Sequence, residues 1–290
     1  MTRFTRFAAI DWSGAKGVRH TGIAVAVAET GERAPRLVRP GHVWSRTEVL
    51  AWVLATKDEA PTLYGFDLSG AFAFADCGAY FPQWDRSPAD VRSLWRLVEE
   101  LCAGEPDLGA SGFHDHPEAS RHFRRHGGRC GDLFTPGAGR MRLVELEEKR
   151  QGLCNPVSNF NLVGAAQVGK SSLTGMRLFL RLDGTVPIWP FDPRPDAGSA
   201  IVEIYTSIAA ADAGLRRGRT KVRKAAGLDR ALQALHSLPH APLERYDDHA
   251  TDALISAAWL RLSAEDAALW SPALLTPEIA RTEGWTFGVR

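Results

Sequence analysis

Two short apolar runs in this chain each end in an aspartate. Phe7–Ile10 is followed by Asp11, one apolar residue and then Ser-Gly-Ala, and Leu63–Phe66 is followed by Asp67 and the same pattern. Short apolar runs bounded by turn residues are typical of buried strands. The pattern therefore predicts two strands, each of which carries a carboxylate to its C-terminal end.

Other apolar patterns predict the remaining elements of an α/β fold. Strands are predicted at Thr21–Ala28, Leu37–Trp44 and Ala200–Tyr205, and helices at Thr47–Ala55, Pro88–Ala103, Met141–Arg150, Leu173–Leu182, Thr220–Leu238 and Asp248–Leu262. With the two strands above, this order predicts a mixed five-stranded sheet flanked by helices. The first three strands are expected to be antiparallel, and the fourth, reached through a helix, to run parallel to the first.

The pattern loses its regularity at about residues 72–161, which predicts a helical and irregular insertion after the fourth strand. We expect residues 1–290 to form one domain. The net charge of +1 provides no overall field that would attract nucleic acid or an anionic membrane. The sequence contains no export signal or membrane span, and its 4 cysteines are widely spaced, so we expect reduced thiols in a cytoplasmic protein.

Further acidic residues accompany the two strand-end aspartates. Glu203 lies inside the apolar strand Ala200–Tyr205, where a charge is unexpected unless the side chain faces a site. Asp248 and Asp252 are one helical turn apart on the last long helix, although Asp247 or Asp248 could equally serve as its N-cap. Carboxylates that converge from strands and a helix provide the oxygen ligands that Mg²⁺ and Mn²⁺ prefer.

The order of Asp11, Asp67, Glu203 and Asp252, the last within an H-x-x-D-A-L segment, resembles the RNase H-like superfamily. Within it, the chain is similar to an uncharacterised family of predicted RNase H-like nucleases, distant relatives of RuvC-type Holliday-junction resolvases. The resemblance implies a metal-dependent nuclease that acts on DNA or RNA. In this hypothesis Asp11 bridges two Mg²⁺ or Mn²⁺ ions, Asp67 and Asp252 bind one each, and Glu203 or Asp248 positions water or completes a coordination shell.

Two other classes of function stay open at the level of the sequence. Gly164–Ser171 matches the phosphate-loop pattern G-x-x-x-x-G-K-[ST], although the preceding residues are too polar for the buried strand that a P-loop requires. The turn after Asp11 is also compatible with actin-like ATPases and sugar kinases, so the chain could bind a nucleotide. Alternatively, basic clusters at residues 121–129 and 216–224 could make it a non-catalytic nucleic-acid-binding protein.

Overall fold

The computed structural model describes residues 4–163, 168–216 and 221–290. Within these ranges the chain forms a mixed α/β fold with a six-stranded sheet. The strands are β1 (Arg6–Asp11), β2 (Ala24–Glu29), β3 (Arg36–Leu37), β4 (Thr62–Asp67), β5 (Ile188–Trp189) and β6 (Ala200–Ile204). The helices are α1 (Arg46–Thr56), α2 (Val91–Cys102), α3 (Ser111–Asp115), α4 (Leu143–Arg150), α5 (Val168–Leu182), α6 (Thr206–Asp212), α7 (Ala225–Ala234), α8 (Asp248–Ser263), α9 (Ala267–Trp270) and α10 (Pro277–Thr282).

The sheet has the strand order β3-β2-β1-β4-β6-β5. Strand β2 is antiparallel to both β1 and β3, whereas β1, β4, β6 and β5 are mutually parallel. The predicted hairpin and the predicted parallel pairing of the first and fourth strands are therefore confirmed. Because parallel strands share one carboxyl edge, β1 and β4 end side by side.

The strand count and the length of the third strand differ from the sequence prediction. A sixth strand, β5, pairs with β6 at the edge of the sheet, and its two residues are too few to show a periodic pattern. The third strand was predicted at Leu37–Trp44, but β3 ends at Leu37. The chain turns there because Arg39 has a φ of 52° and Pro40 has no backbone N–H to donate to a neighbouring strand.

Every helix predicted from the sequence has a counterpart, with shifted ends. The Ser45 side chain caps α1 and forms a capping box with Glu48, which sets the start of that helix. Helices α2, α3 and α4 lie between β4 and α5, in the predicted insertion. No helix in the described ranges is long and apolar enough to cross a membrane.

Alternation of side chains along the strands supplies a hydrophobic core on each face of the sheet. Ile10 and Phe66 are buried on one face with residues of α1, α2 and α5. Ala9 and Leu63 are buried on the other face with residues of α6, α7 and α8. Side chains an even number of residues apart in a strand point to the same face. Asp11 therefore points to the face of Ala9, and Asp67 to the face of Leu63, which is the face that α8 covers.

Small residues allow α8 to lie close to the sheet. A Cβ atom added to Gly65 of β4 would lie 2.7 Å from the Leu260 Cδ1 atom of α8, which is closer than real Cβ contacts. Ala253 and Ala257 of α8 are fully buried at the interface. This close packing brings the first turns of α8, with Asp252, toward the carboxyl end of β1.

Candidate functional site

Three of the predicted site residues meet where β1 and β4 end. Asp11 and Asp67 are directly paired in the parallel register of the two strands, so their side chains point to the same face. Helix α8 contributes Asp252 from its second turn. The N-cap of α8 is Asp247, whose carboxylate accepts a hydrogen bond from the Ala250 N–H at 2.9 Å. We call Asp11, Asp67 and Asp252 the acidic site.

The electrostatics of the acidic site reflect buried and mutually repelling carboxylates. Burial raises the pKa of Asp11, and burial together with the charge of Asp11 raises the pKa of Asp67 well above its usual range. Burial, followed by the charges of Asp11 and Asp248, raises the pKa of Asp252 to about 7. A cation near these groups would remove the repulsion, so the site has the charge distribution of a cation-binding site.

Two polar neighbours hold the carboxylates of the acidic site. The His249 Nδ1 atom lies 3.3 Å from Asp11 Oδ2. Thr206, the first residue of α6, donates its N–H to Asp67 Oδ1 at 3.2 Å and its hydroxyl to Asp67 Oδ2 at 3.3 Å. The sequence prediction missed both residues. His249 had a detectable signal, because it precedes Asp252 by three residues and so lies on the same helical face.

The raised pKa of Asp252 predicts that Asp252→Asn stabilises the metal-free protein at pH 8. The unfolded carboxyl releases its proton above its ordinary pKa of 3.8, whereas the folded one holds it until about 7. The parent therefore loses stability as pH rises through this window. We expect the variant to be more stable by about 1–2 kcal/mol at pH 8, after allowance for partial exposure.

Urea unfolding in EDTA at pH 4 and at pH 8 measures this difference. The difference in free energy of unfolding between parent and Asp252→Asn should shrink toward pH 4, since the folded carboxyl is then protonated and the unfolded one, near its ordinary pKa of 3.8, is partly protonated. The control Asp58→Asn alters a carboxylate whose side chain is 82% exposed, so its free energy of unfolding should differ little from that of the parent at either pH. An equal gap for Asp252→Asn at both pH values would contradict the burial of its charge.

Glu203 is held apart from the acidic site by an arginine that the sequence prediction missed. Glu203 pairs in register with Phe66 rather than with Asp67, so its side chain starts on the opposite face of the sheet. It borders the same cavity of about 110 Å³ as Asp67, but its carboxylate accepts hydrogen bonds from both terminal nitrogens of Arg142. The Gly70 N–H at 3.0 Å and the Thr286 hydroxyl at 2.8 Å also donate to this carboxylate.

A carboxylate has about four acceptor positions, and those of Glu203 are occupied. The buried Arg142 also neutralises its charge. The structure therefore disagrees with the prediction that Glu203 positions water or completes a metal shell. The alternation of side chains explains the error, because a shift of one residue in strand register moves a side chain to the other face of the sheet.

Asp248 is also engaged by cations. Its carboxylate forms ion pairs with Lys221 and Arg223, which lie before α7. The predicted role of Asp248 as a metal ligand is therefore weakened, although its charge still contributes to raising the pKa of Asp252. Of the predicted basic cluster at 216–224, residues 217–220 lie outside the described residues.

Only part of the phosphate-loop match lies in the described residues. Gly164–Gln167 lie outside the described residues, and Gly169, Lys170 and Ser171 lie in the first turn of α5. The described residues 155–163, which precede the match, form no strand beyond an isolated bridge at Asn161. A P-loop requires such a strand, so this part of the chain does not support the nucleotide-binding alternative.

In the described ranges, no group of three or more His, Cys, Asp and Glu side chains could hold a metal ion with the side chains as they stand. Asp11 is turned toward His249, and Asp67 toward Thr206. A cation would therefore have to replace these hydrogen bonds. The donor set itself consists of carboxylate oxygens, which suit Mg²⁺ and Mn²⁺.

Comparison with protein-family models, with curated proteins and with solved structures gave no match for this chain. The function is therefore inferred from the geometry and chemistry of the site.

Proposed function

We propose that this protein is an RNase H-like nuclease that uses Mg²⁺ or Mn²⁺ to hydrolyse phosphodiester bonds. The observation that carries the proposal is the pairing of Asp11 with Asp67 at the carboxyl ends of adjacent parallel strands, with Asp252 added by α8. The antiparallel β3-β2-β1 half of the sheet, followed by parallel β4 and β6, supports the RNase H-like assignment. The same residues carried the resemblance in the sequence.

The charges indicate how many ions each of the three carboxylates would bind. After burial, the charge of Asp11 contributes most to raising the pKa of both Asp67 and Asp252, so Asp11 interacts with each of them. Asp11 would therefore bridge two ions, and Asp67 and Asp252 would bind one each. When bound, the ions supply Lewis-acid stabilisation of the phosphate oxygens and a more acidic water. Thr206 orients the carboxylate of Asp67.

His249 is a candidate for proton transfer in this reaction. Its Nδ1 atom faces Asp11, and its half-exposed ring lines a groove of about 870 Å³. In the metal-free protein, the hydrogen bond to Asp11 raises the pKa of His249, which favours a protonated ring before an ion replaces that bond. From the groove side, Nε2 could give a proton to the leaving oxygen of a phosphodiester.

The groove provides the space that a polymeric substrate requires. It runs from the β2–β3 region to the start of α8, and Arg39 and Arg245 line it together with the ring of Tyr246. Its lining also contains the Arg223–Asp248 ion pair and the acidic residues Glu244 and Asp247. Cationic side chains bind phosphates, and aromatic rings can stack on bases. A nucleic-acid strand in this groove would pass His249 at the edge of the acidic site.

Thermal melting with Mg²⁺ or Mn²⁺ tests metal binding at the acidic site. An ion present at 100 times its Kd stabilises the folded state by about 2.7 kcal/mol, which corresponds to a rise in Tm of roughly 5–10 °C. We expect this rise in the parent and in the control Asp58→Asn, and its loss in Asp67→Asn. An equal rise in Asp67→Asn, or no rise in the parent, would contradict the proposed ligands.

A further inference from the structure

A second pocket lies beside the acidic site, on the other side of the loop that follows β1. Its volume is about 200 Å³, roughly that of six water molecules in the liquid, which is enough for a phosphate group. Lys16, Arg46, His114 and Lys170 line it, with Glu105 as the one acidic residue among the described lining residues. We call it the cationic pocket.

Glu105 and Arg46 have structural partners in the wall of the cationic pocket. The Glu105 carboxylate accepts the N–H groups of Ser111 at 2.9 Å and Gly112 at 2.5 Å, so it holds the start of α3. The buried Arg46 guanidinium donates to the Ser13 carbonyl at 2.8 Å and to the Ala15 carbonyl. Arg46 thus fixes the loop that separates the pocket from Asp11.

The cationic pocket is also lined by Lys16, Lys170 and His114. Burial and the charge of Lys16 lower the pKa of Lys170, against the opposite effect of Asp115. Burial lowers the pKa of His114, so its ring is neutral near pH 7. Lys16 and Lys170 therefore supply like charges around a cavity of this size, which favours the binding of an anion.

The loop connects the two sites physically. A Cβ atom added to Gly14 would lie 2.3 Å from the Lys170 carbonyl carbon, so only glycine allows the loop to touch the first turn of α5. Gly14 follows Asp11 by three residues, which limits the separation of their Cα atoms to about 11 Å. A phosphate in the pocket would therefore lie within a few nucleotides of the reacting phosphodiester, since phosphates recur every ~3.4 Å along a helical strand.

We propose that the cationic pocket binds a phosphate of the substrate strand that is not itself cleaved, with Lys16 and Lys170 as its ligands. This inference rests on the proposed nuclease function and names a binding site for its substrate. It also gives Lys170, which the phosphate-loop match singled out, a phosphate contact that requires no nucleotide-binding loop. Binding there would fix the register of the strand relative to Asp11.

Fluorescence anisotropy with labelled single-stranded DNA of about 20 nucleotides, in EDTA, tests the inference. We expect Lys16→Ala/Lys170→Ala to weaken binding by about tenfold at low salt. Because the pocket holds one phosphate, and each lost phosphate contact lowers the salt slope by about 0.7 for a single strand, we expect the slope to fall by about 0.7 between roughly 50 and 200 mM salt. The matched control Lys149→Ala removes an exposed lysine of α4 and should bind like the parent.

Lys16→Ala alone provides a variant that retains the fold, because Lys16 is exposed. It should show part of the loss of affinity and of the change in slope seen in the double variant. A parent that binds no DNA, or lysine variants with the affinity and slope of the parent, would overturn the inference. Oligonucleotides with and without a 5′-phosphate then show which phosphate the pocket binds. If it binds the terminal phosphate, the lysine variants weaken binding of the 5′-phosphorylated strand more than that of the unphosphorylated one. If it binds an internal phosphate, the two strands lose the same affinity. The titration contains no metal, so its result does not depend on metal binding at Asp11. A lack of metal binding there would be detected only as a missing rise in Tm in the melting experiment.

Discussion

Replacing Asp11 with Asn is expected to reduce Mg²⁺- or Mn²⁺-dependent cleavage of nucleic acid on the order of 10³-fold or more. The charge of Asp11 acts on both other carboxylates, and in the proposed arrangement its loss removes a ligand from both ions. The amide has nearly the same shape as the carboxylate, and it leaves no buried charge behind. The fold should therefore be retained, and the metal-free Tm should equal or exceed that of the parent.

Initial rates on labelled single- and double-stranded DNA and RNA, with each metal and with EDTA, measure this effect. The control Asp58→Asn changes an exposed aspartate and should cleave at the parental rate. Melting of Asp11→Asn in EDTA checks that lost activity does not reflect unfolding. Retention of the parental rate by a folded Asp11→Asn protein would remove Asp11 from the reaction and contradict the proposed function.

Replacing Arg142 with Met is expected to lower the free energy of unfolding by about 3–5 kcal/mol. The buried Arg142 donates to Glu203, to Glu145 and to the Glu283 carbonyl, so it joins β6, α4 and the residues after α10. Methionine fills similar space but leaves two buried carboxylates without a counter-ion. Such uncompensated charges are among the most destabilising features of a protein interior.

Urea unfolding of Arg142→Met at neutral pH measures this loss. Arg86→Met is the matched control, because Arg86 pairs with Glu100 where both side chains are exposed, at 49% and 61%. An exposed pair of this kind contributes about 0–1 kcal/mol. A loss in Arg142→Met no larger than that in Arg86→Met would mean that the buried carboxylates do not depend on Arg142 for their charge balance.

The sequence predicted the elements that present Asp11, Asp67 and Asp252, because each of these residues belongs to a strong local pattern. Apolar runs that end in Asp-x-Ser-Gly-Ala mark the ends of β1 and β4. Local periodicity and the parallel crossover rule were together sufficient to place Asp11 and Asp67 at one edge. Asp252 reaches that edge through the close packing of α8 on the sheet, which the structure adds.

Glu203 could not be placed in the same way. Its orientation depends on the register between β4 and β6, which are separated by more than 130 residues, and no local pattern specifies that register. Its partner Arg142 lies 61 residues earlier, in a segment with no strand periodicity. A charge inside an apolar strand signals that some polar partner exists, but it does not distinguish a metal from an arginine.

The long separation between Arg142 and its partners also affects how the protein forms during synthesis. The Glu203 carboxylate and the Glu283 carbonyl lie 61 and 141 residues after Arg142. At about 5–20 residues per second, a ribosome needs on the order of 10 seconds to add the later of these groups. Until Glu203 and Glu283 have been added, Arg142 lacks these two partners, so α4 cannot complete its docking onto the sheet. The packing around Arg142 is therefore one of the last parts of the described fold to form.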